Sequence, residues 1–263
     1  MMESRREAPA RIGQVALHTL KETVRDRIFF VTLLFALFLI AGSLAVSPLA
    51  AGEEDRVVKN MGLSSISAIG LFLAVFVGAS LVHREVERRT IYTLLSRPIS
   101  RGEYVVGKYI GIVLTLTMNV GAMAVLFALL VHFHLHTLSA AHFAAIYLIG
   151  VELAVIASVS ILFSVLSSPV LGALFTLALY FIGHLATDLR SFAEMLPSGA
   201  AAGACKIISY LVPNLGLFDI KGMAVYGKPV EAGLLLSATL YALGYIAPVL
   251  FLALVLFRRK DLQ

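Results

Sequence analysis

Few side chains in this sequence could do chemistry, and most lie inside or beside long apolar runs. Glu152 is the only carboxylate deep within such a run. An ionisable group in a lipid-like surround is costly to hold, so by default it signals a role: lining a translocation path, binding a cation or carrying a proton. The structural alternative is a hydrogen-bonded Glu152 that ties two helices together, with Asn119 on the preceding apolar run as its partner. His184 and Asp188 are four residues apart, which places them on one face of a helix. They can form a hydrogen-bonded pair or part of a metal site, but two ligands do not make a zinc centre. His132, His134 and His136 alternate, with His142 nearby. Alternation brings ligands to one side only in an extended segment; otherwise these are polar residues at the edge of an apolar helix. No metal is assigned, and His184 and Asp188 stand as candidates only.

Two further motifs are weaker than they look. Gly102-x-x-x-x-Gly107-Lys108 matches most of a phosphate-binding loop, but Tyr109 stands where Ser or Thr must hold magnesium and no buried strand precedes it. Lys108 is expected instead to reach toward lipid phosphates or to pair with Glu103. Cys205 is the single cysteine, which excludes an internal disulfide and any all-cysteine metal site. No catalytic residue is expected. A membrane enzyme would need converging groups at one depth, and only His184 with Asp188 hints at that.

The elements that must position these residues are apolar helices. Of 263 residues, 59% are hydrophobic and 14% charged, against about 45–50% and about 25% in soluble domains. About 20 apolar residues cross a bilayer as a helix. Six stretches qualify, near Ile28–Ser47, Leu63–Val82, Val105–His132, Phe143–Leu166, Val170–Thr187 and Leu234–Phe257. Their continuous apolarity excludes the alternating pattern of a membrane barrel. The fold class expected is therefore all-α, one polytopic domain over residues 1–263. The lead at 1–27 does not read as a signal peptide, because its mixed charge runs up to the first apolar stretch.

Charge sets the orientation. Arg5, Arg6, Arg11, Lys21, Arg25 and Arg27 lie in the lead; Arg84, Arg88, Arg89, Arg97, Arg101 and Lys108 follow the second span; Arg258, Arg259 and Lys260 close the chain. With six spans all three groups fall on one side, and the positive-inside rule makes that side cytoplasmic. A seventh span over Leu196–Phe218 would push the C-terminal basic cluster outside, and it contains Pro197, Lys206 and Pro213. Ala204, Ile208, Leu211 and Val212 share a helical face, so an external amphipathic or re-entrant segment within the loop at 188–233 is the preferred reading. In the lead, Ile12, Val15, Ala16, Leu20 and Val24 recur at helical spacing opposite a basic face. They predict an amphipathic helix in the inner headgroup layer.

The loop at 84–104 is a charged island between spans 2 and 3. Glu85 pairs at helical spacing with Arg88 and Arg89, and Ile91, Leu94 and Leu95 form an apolar patch. Pro98 ends that element. Ser100-x-x-Glu103 is a capping box that starts the next helix, which continues through Gly107-x-x-x-Gly111, small residues that let a second helix approach closely. The segment is either a surface helix that completes the connection or a docking surface.

Glu85-x-Glu87-x-x-Thr90-Ile91, then Leu94-Leu95-Ser96-Arg97-Pro98-Ile99-Ser100-Arg101 and Gly107-Lys108, resembles the permease subunits of type 2 ABC exporters. The order of elements resembles that family over nearly the whole chain, and Tyr210-Leu211-Val212-Pro213-Asn214-Leu215-x-Leu217-Phe218 is similar to its fifth loop. The nearest branch is that of multicopper-enzyme and nitrous-oxide-reductase maturation permeases. Arg89 departs from the small residue usual before the Thr. The resemblance implies that the second loop is a coupling helix, docked on a separate ATP-binding-cassette subunit through Glu85, Glu87, Arg88, Thr90, Tyr92, Leu94, Leu95 and Arg101. It also implies that the partner, not this chain, binds ATP and magnesium. A second permease copy or a relative would complete the pathway, Glu152 and Asn119 would lie along it, and the complex would sit in the inner membrane of a prokaryote with both termini cytoplasmic. No nucleic-acid partner is expected. The competing function is an ion-coupled secondary carrier that uses Glu152.

Overall fold

Apolar runs this long fold as helices because each backbone donor then finds its acceptor within the same segment. The structure is a computed structural model that describes residues 8–25, 27–46, 48, 52–87, 100–195 and 212–259. Among the described residues all regular structure is helical. The elements are α1 (Ala8–Arg25), α2 (Arg27–Val46), α3 (Glu54–Glu87), α4 (Arg101–Leu130) with a π turn at Val131–Leu135, α5 (Ala140–Leu166), α6 (Pro169–His184) and α7 (Ala186–Met195). A 3-10 turn at Leu215–Phe218, α8 (Lys221–Val225) and α9 (Ala232–Arg259) complete the order.

Among the described residues five helices are long and apolar enough to cross a membrane, in the windows Phe29–Val46, Glu54–Ala79, Gly102–Leu135, Ala140–Leu166 and Ala232–Arg258. Each coincides with one of the apolar stretches read from the sequence. The remaining stretch forms α6, which has 16 residues. At 1.5 Å per residue it is about 24 Å long, short of a hydrocarbon core of about 30 Å. α6 stops at His184, and α7 begins after a single non-helical residue, Leu185. The predicted fifth span, Val170–Thr187, is thus broken two residues before its expected end.

α5 is the central helix. It packs on α3, α9, α6 and α4. Leu148, Ile149, Leu153 and Ile156 of α5 meet Leu63, Ile66 and Leu73 of α3 and Ile112, Met123 and Phe127 of α4 in one core. Two contacts set the antiparallel register of α4 and α5: the Tyr109 hydroxyl donates to the Ala154 carbonyl at 3.3 Å, and the Phe127 and His142 rings lie 6.0 Å apart. α2 and α6 keep large apolar side chains outside this core, among them Phe30, Leu34, Phe38, Val170, Leu174 and Phe181. Such surfaces suit lipid tails or another protein chain, not water.

Side-chain contacts identify the two ends of the bundle. At one end Arg11 of α1 approaches Glu103 of α4 at 3.9 Å, and Tyr104 stacks on Phe257 near the end of α9 at 5.9 Å. The basic lead, the start of α4 and the end of α9 therefore meet, as the charge pattern requires. At the other end the Arg56 guanidinium sits 4.8 Å from the Tyr226 ring centre. That contact joins the start of α3 to the segment after α7.

The chain around Phe218 bears on the last seven residues of the seventh-span alternative; Leu196–Leu211 lie outside the described residues. From Val212 onward it is irregular, then 3-10 at Leu215–Phe218, then the short α8. No continuous helix reaches Phe218, while Leu215, Phe218, Ile220 and Ala224 are buried against the bundle. Ala204, Ile208 and Leu211 of the proposed amphipathic segment lie outside the described residues.

Candidate functional site

The first polar site is built around Glu152. α5 is apolar on every face, so its one carboxylate is carried into the core and is 1% exposed. Glu152 Oε1 faces His184 Nε2 at 3.4 Å. On the other side of that ring, His184 Nδ1 lies 3.2 Å from the Tyr180 carbonyl. A carbonyl oxygen only accepts, so Nδ1 carries a hydrogen. The Nε2 lone pair then faces the carboxyl group, but among the described residues Glu152 Oε1 has no hydrogen-bond partner, so the two groups are neighbours at 3.4 Å without a formed hydrogen bond.

Three further elements close around this pair. Tyr180 packs beside His184, with ring centres 4.5 Å apart and the planes tilted by 51°. Ser67 of α3 lies within hydrogen-bonding reach of the Tyr180 hydroxyl, and Glu152 acts electrostatically on Tyr180. Asp219 and Lys221 are the charged groups that act on Glu152 from the segment above, and they pair with each other at 3.7 Å. That segment comes close because Gly183 has no side chain: a Cβ there would lie 2.8 Å from the Pro213 carbonyl oxygen and 2.9 Å from Leu215. Asn214 is held from two sides, its N–H donating to the Tyr241 hydroxyl at 2.8 Å and its Oδ1 accepting from Thr187 at 3.3 Å.

Several sequence-based pairings are replaced by others. Asn119 is fully buried, and among the described residues neither of its amide atoms has a hydrogen-bond partner; the group facing Glu152 is His184. His184 and Asp188 do not share a helix, because α6 ends between them, and Asp188 is exposed on α7. His132 and His134 lie in a π turn rather than an extended segment, and His136 adopts a left-handed backbone at φ 52°. His142 is turned inward, accepting from the Ser139 N–H at 3.1 Å. Among the described residues no group of three or more His, Cys, Asp or Glu side chains could hold a metal ion.

The second site lies at the opposite end, where α4 leaves the charged loop. The Ser100 hydroxyl accepts from the Glu103 N–H at 3.2 Å, and the Glu103 carboxylate accepts from the Ser100 N–H at 2.8 Å. The predicted capping box is formed. Glu85 and Glu87 fall in the last turn of α3 and Arg101 opens α4, while Arg88, Thr90, Tyr92, Leu94 and Leu95 lie outside the described residues. The helix that approaches Gly107 and Gly111 is α1. A Cβ at Gly107 would lie 2.7 Å from Val15, and one at Gly111 would lie 2.5 Å from Thr19 and 2.9 Å from the Ala16 carbonyl oxygen. Val15 and Ala16, at the centre of the apolar face of α1 expected in the headgroup layer, are therefore packed on protein, while Ile12, Leu20 and Val24 stay partly exposed. Lys108 is 2% exposed and its ammonium pairs with Glu22 of α1 at 3.9 Å.

Sequence reasoning missed Ser67, Tyr180, Asp219 and Lys221 around Glu152, and Glu22 beside Lys108. One signal was available for Tyr180, which stands four residues before His184. The others come from elements distant in sequence.

Comparison with curated proteins gives no match. The family model described as ABC-2 family transporter protein matches residues 14–262, from within α1 to beyond the end of α9. An all-helical bundle with five membrane-length apolar helices, matched over that length, belongs to the ABC-2 transporter family.

Proposed function

We propose that this chain is the membrane permease subunit of a two-part ABC transporter. A separate ATP-binding-cassette subunit binds ATP and magnesium and docks on the loop between α3 and α4, through Glu85, Glu87, Arg88, Thr90, Tyr92, Leu94, Leu95 and Arg101. Hydrolysis there drives export or mechanical work across the inner membrane of a prokaryote, with both termini cytoplasmic and six crossings. The fifth crossing is α6, lengthened by the polar segment that caps it. A second copy, or a related permease, covers the exposed apolar faces. The family's maturation-permease branch is the nearest in character.

One observation carries the coupling part of this reading. α4 emerges from the loop already capped, and α1 is locked along it by Gly107, Gly111, Glu22–Lys108 and Arg11–Glu103. A push on the loop moves two helices as one body, because close-packed interfaces shift between discrete arrangements instead of deforming smoothly. Gentle-detergent purification from native membranes tests it: a stoichiometric ATP-binding-cassette protein should accompany the chain. Leu94→Asp with Leu95→Asp should abolish that co-purification while leaving membrane insertion intact. Unchanged co-purification would remove these residues from the interface.

The Glu152–His184 pair favours one alternative, an ion-coupled carrier that works without an ATPase. That reading requires gradient-driven transport by the chain alone in vesicles, lost in Glu152→Gln.

A further inference from the structure

α1 carries two rows of side chains that run side by side. Leu20 and Val24 form one row and Lys21 and Arg25 the other, each pair four residues apart and so on a common face. Together with Met118 of α4 they line a groove of about 600 Å³ between the two helices. That volume lies within the range of about 300–1,000 Å³ typical of small-molecule sites. The groove is apolar on one flank and on its α4 wall, and cationic on the other flank.

The charge balance of the groove is positive. Lys21 and Arg25 are exposed, and among the described residues neither has an ion-pair partner. The nearest acid on the same helix, Glu22, is engaged by buried Lys108. Glu103, the acid of α4 that faces α1, is engaged by Arg11 and by the cap at Ser100. The ligand such a groove fits is a molecule with an anionic head and aliphatic chains held a short polar linker away from it. At a membrane surface that is an acidic phospholipid, which basic juxtamembrane helices attract.

We propose that the α1–α4 groove holds one acidic phospholipid, its phosphate on Lys21 and Arg25 and its first acyl carbons against Leu20, Val24 and Met118. The bound lipid extends the α1–α4 unit outward into the bilayer and fixes its depth. Placing it in the cytoplasmic leaflet rests on the orientation proposed above, whereas the lipid's chemistry does not. If labelling put the N-terminus outside, that orientation would fail and the site would move to the other leaflet, with lipid retention unchanged.

The test is native mass spectrometry of the purified chain, with any subunit that accompanies it, released from nanodiscs of equal phosphatidylglycerol and phosphatidylcholine. One phosphatidylglycerol per protomer should survive stepwise delipidation. Lys21→Gln with Arg25→Gln should lower its retention about thirtyfold, the effect of two cations near an acidic lipid. Lys21→Arg with Arg25→Lys should restore it. Met118→Trp should weaken it with both charges in place, by filling the apolar wall. Equal retention of phosphatidylcholine, or unchanged phosphatidylglycerol in the double Gln variant, would overturn the site. Displacement of the lipid by millimolar inorganic phosphate would show a plain anion site and overturn the lipid assignment.

Discussion

Both ends of this bundle use a close approach at glycine, but they differ in the contacts added to it. At the loop end, α1 and α4 touch through glycines, so their backbones lie closer than side chains would allow, and two ion pairs flank the seam. At the other end, the segment from Pro213 to Tyr226 is seated by buried Leu215 and Phe218, the former against Gly183, and it adds exchangeable polar contacts: the Asn214 N–H on the Tyr241 hydroxyl and Tyr226 beside the Arg56 guanidinium. Glycine packing is dispersive and short-ranged, with steep losses when it opens. Polar contacts can exchange partners, since each donor and acceptor can be satisfied by water or by cargo. The first end is suited to transmit a displacement, the second to rearrange in response.

Breaking the stiff end should have the largest effect. In Gly111→Leu even the first side-chain carbon would lie 2.5 Å from Thr19 and 2.9 Å from the Ala16 carbonyl oxygen. Backbone cannot give way as a flexible side chain can, so α1 must leave α4. Overpacking costs typically about 1–3 kcal/mol, and separating the helices adds the exposure of Val15 and Ala16. The variant should melt at a markedly lower temperature in detergent and lose coupling even where the partner still binds. A variant that is stable and still coupled would show that α1 and α4 need not move together.

The end around Glu152 is tested by a smaller change. Glu152→Gln keeps shape and one acceptor but removes the ionisable carboxyl group beside His184. If the pair serves the pathway, transport should fall about tenfold or more, the loss expected on removing an interaction worth roughly 1.4 kcal/mol. Folding should hardly change, because the amide can donate to His184 Nε2. His184→Gln should give a similar loss. A melting temperature that falls while transport per folded molecule is unchanged would make the pair structural.

How much of this was readable in the sequence differs between the ends. The capping box, the helical spans and the basic clustering follow from local spacing, and they appear in the structure at Ser100, in the five membrane-length helices and where α1, α4 and α9 meet. Gly107 and Gly111 announce a close approach but carry no label for the partner, so α1 emerges only from the fold. Glu152 announces a site by being alone. Its surroundings are assembled from α3, α6 and α8, and a one-dimensional pattern holds no information on which helices meet at that level. The break at Leu185 shows the same limit. Val170–Thr187 is apolar enough for a single span, but the helix stops where Pro213 and Leu215 settle against Gly183. That is a tertiary contact overriding local propensity.

The smallest test bears on how loosely the second end is latched. Arg56 and Tyr226 are both exposed, and the guanidinium lies 4.8 Å from the ring centre. Exposed cation–π contacts are worth about 0.5–1 kcal/mol. Arg56→Gln should therefore shift the melting temperature by no more than a degree or two. Its local effect should be larger, because the contact ties the start of α3 directly to the residues after α8. Hydrogen exchange should rise across Met223–Gly227 and stay unchanged across Gly107–Thr115 on α4, where glycine packing protects the seam. Equal acceleration at both places would mean that the ends open as one cooperative unit. A rise confined to Met223–Gly227 would mean that the capping segment opens on its own over a rigid α1–α4 body, as expected of an element that rearranges while its opposite end transmits force.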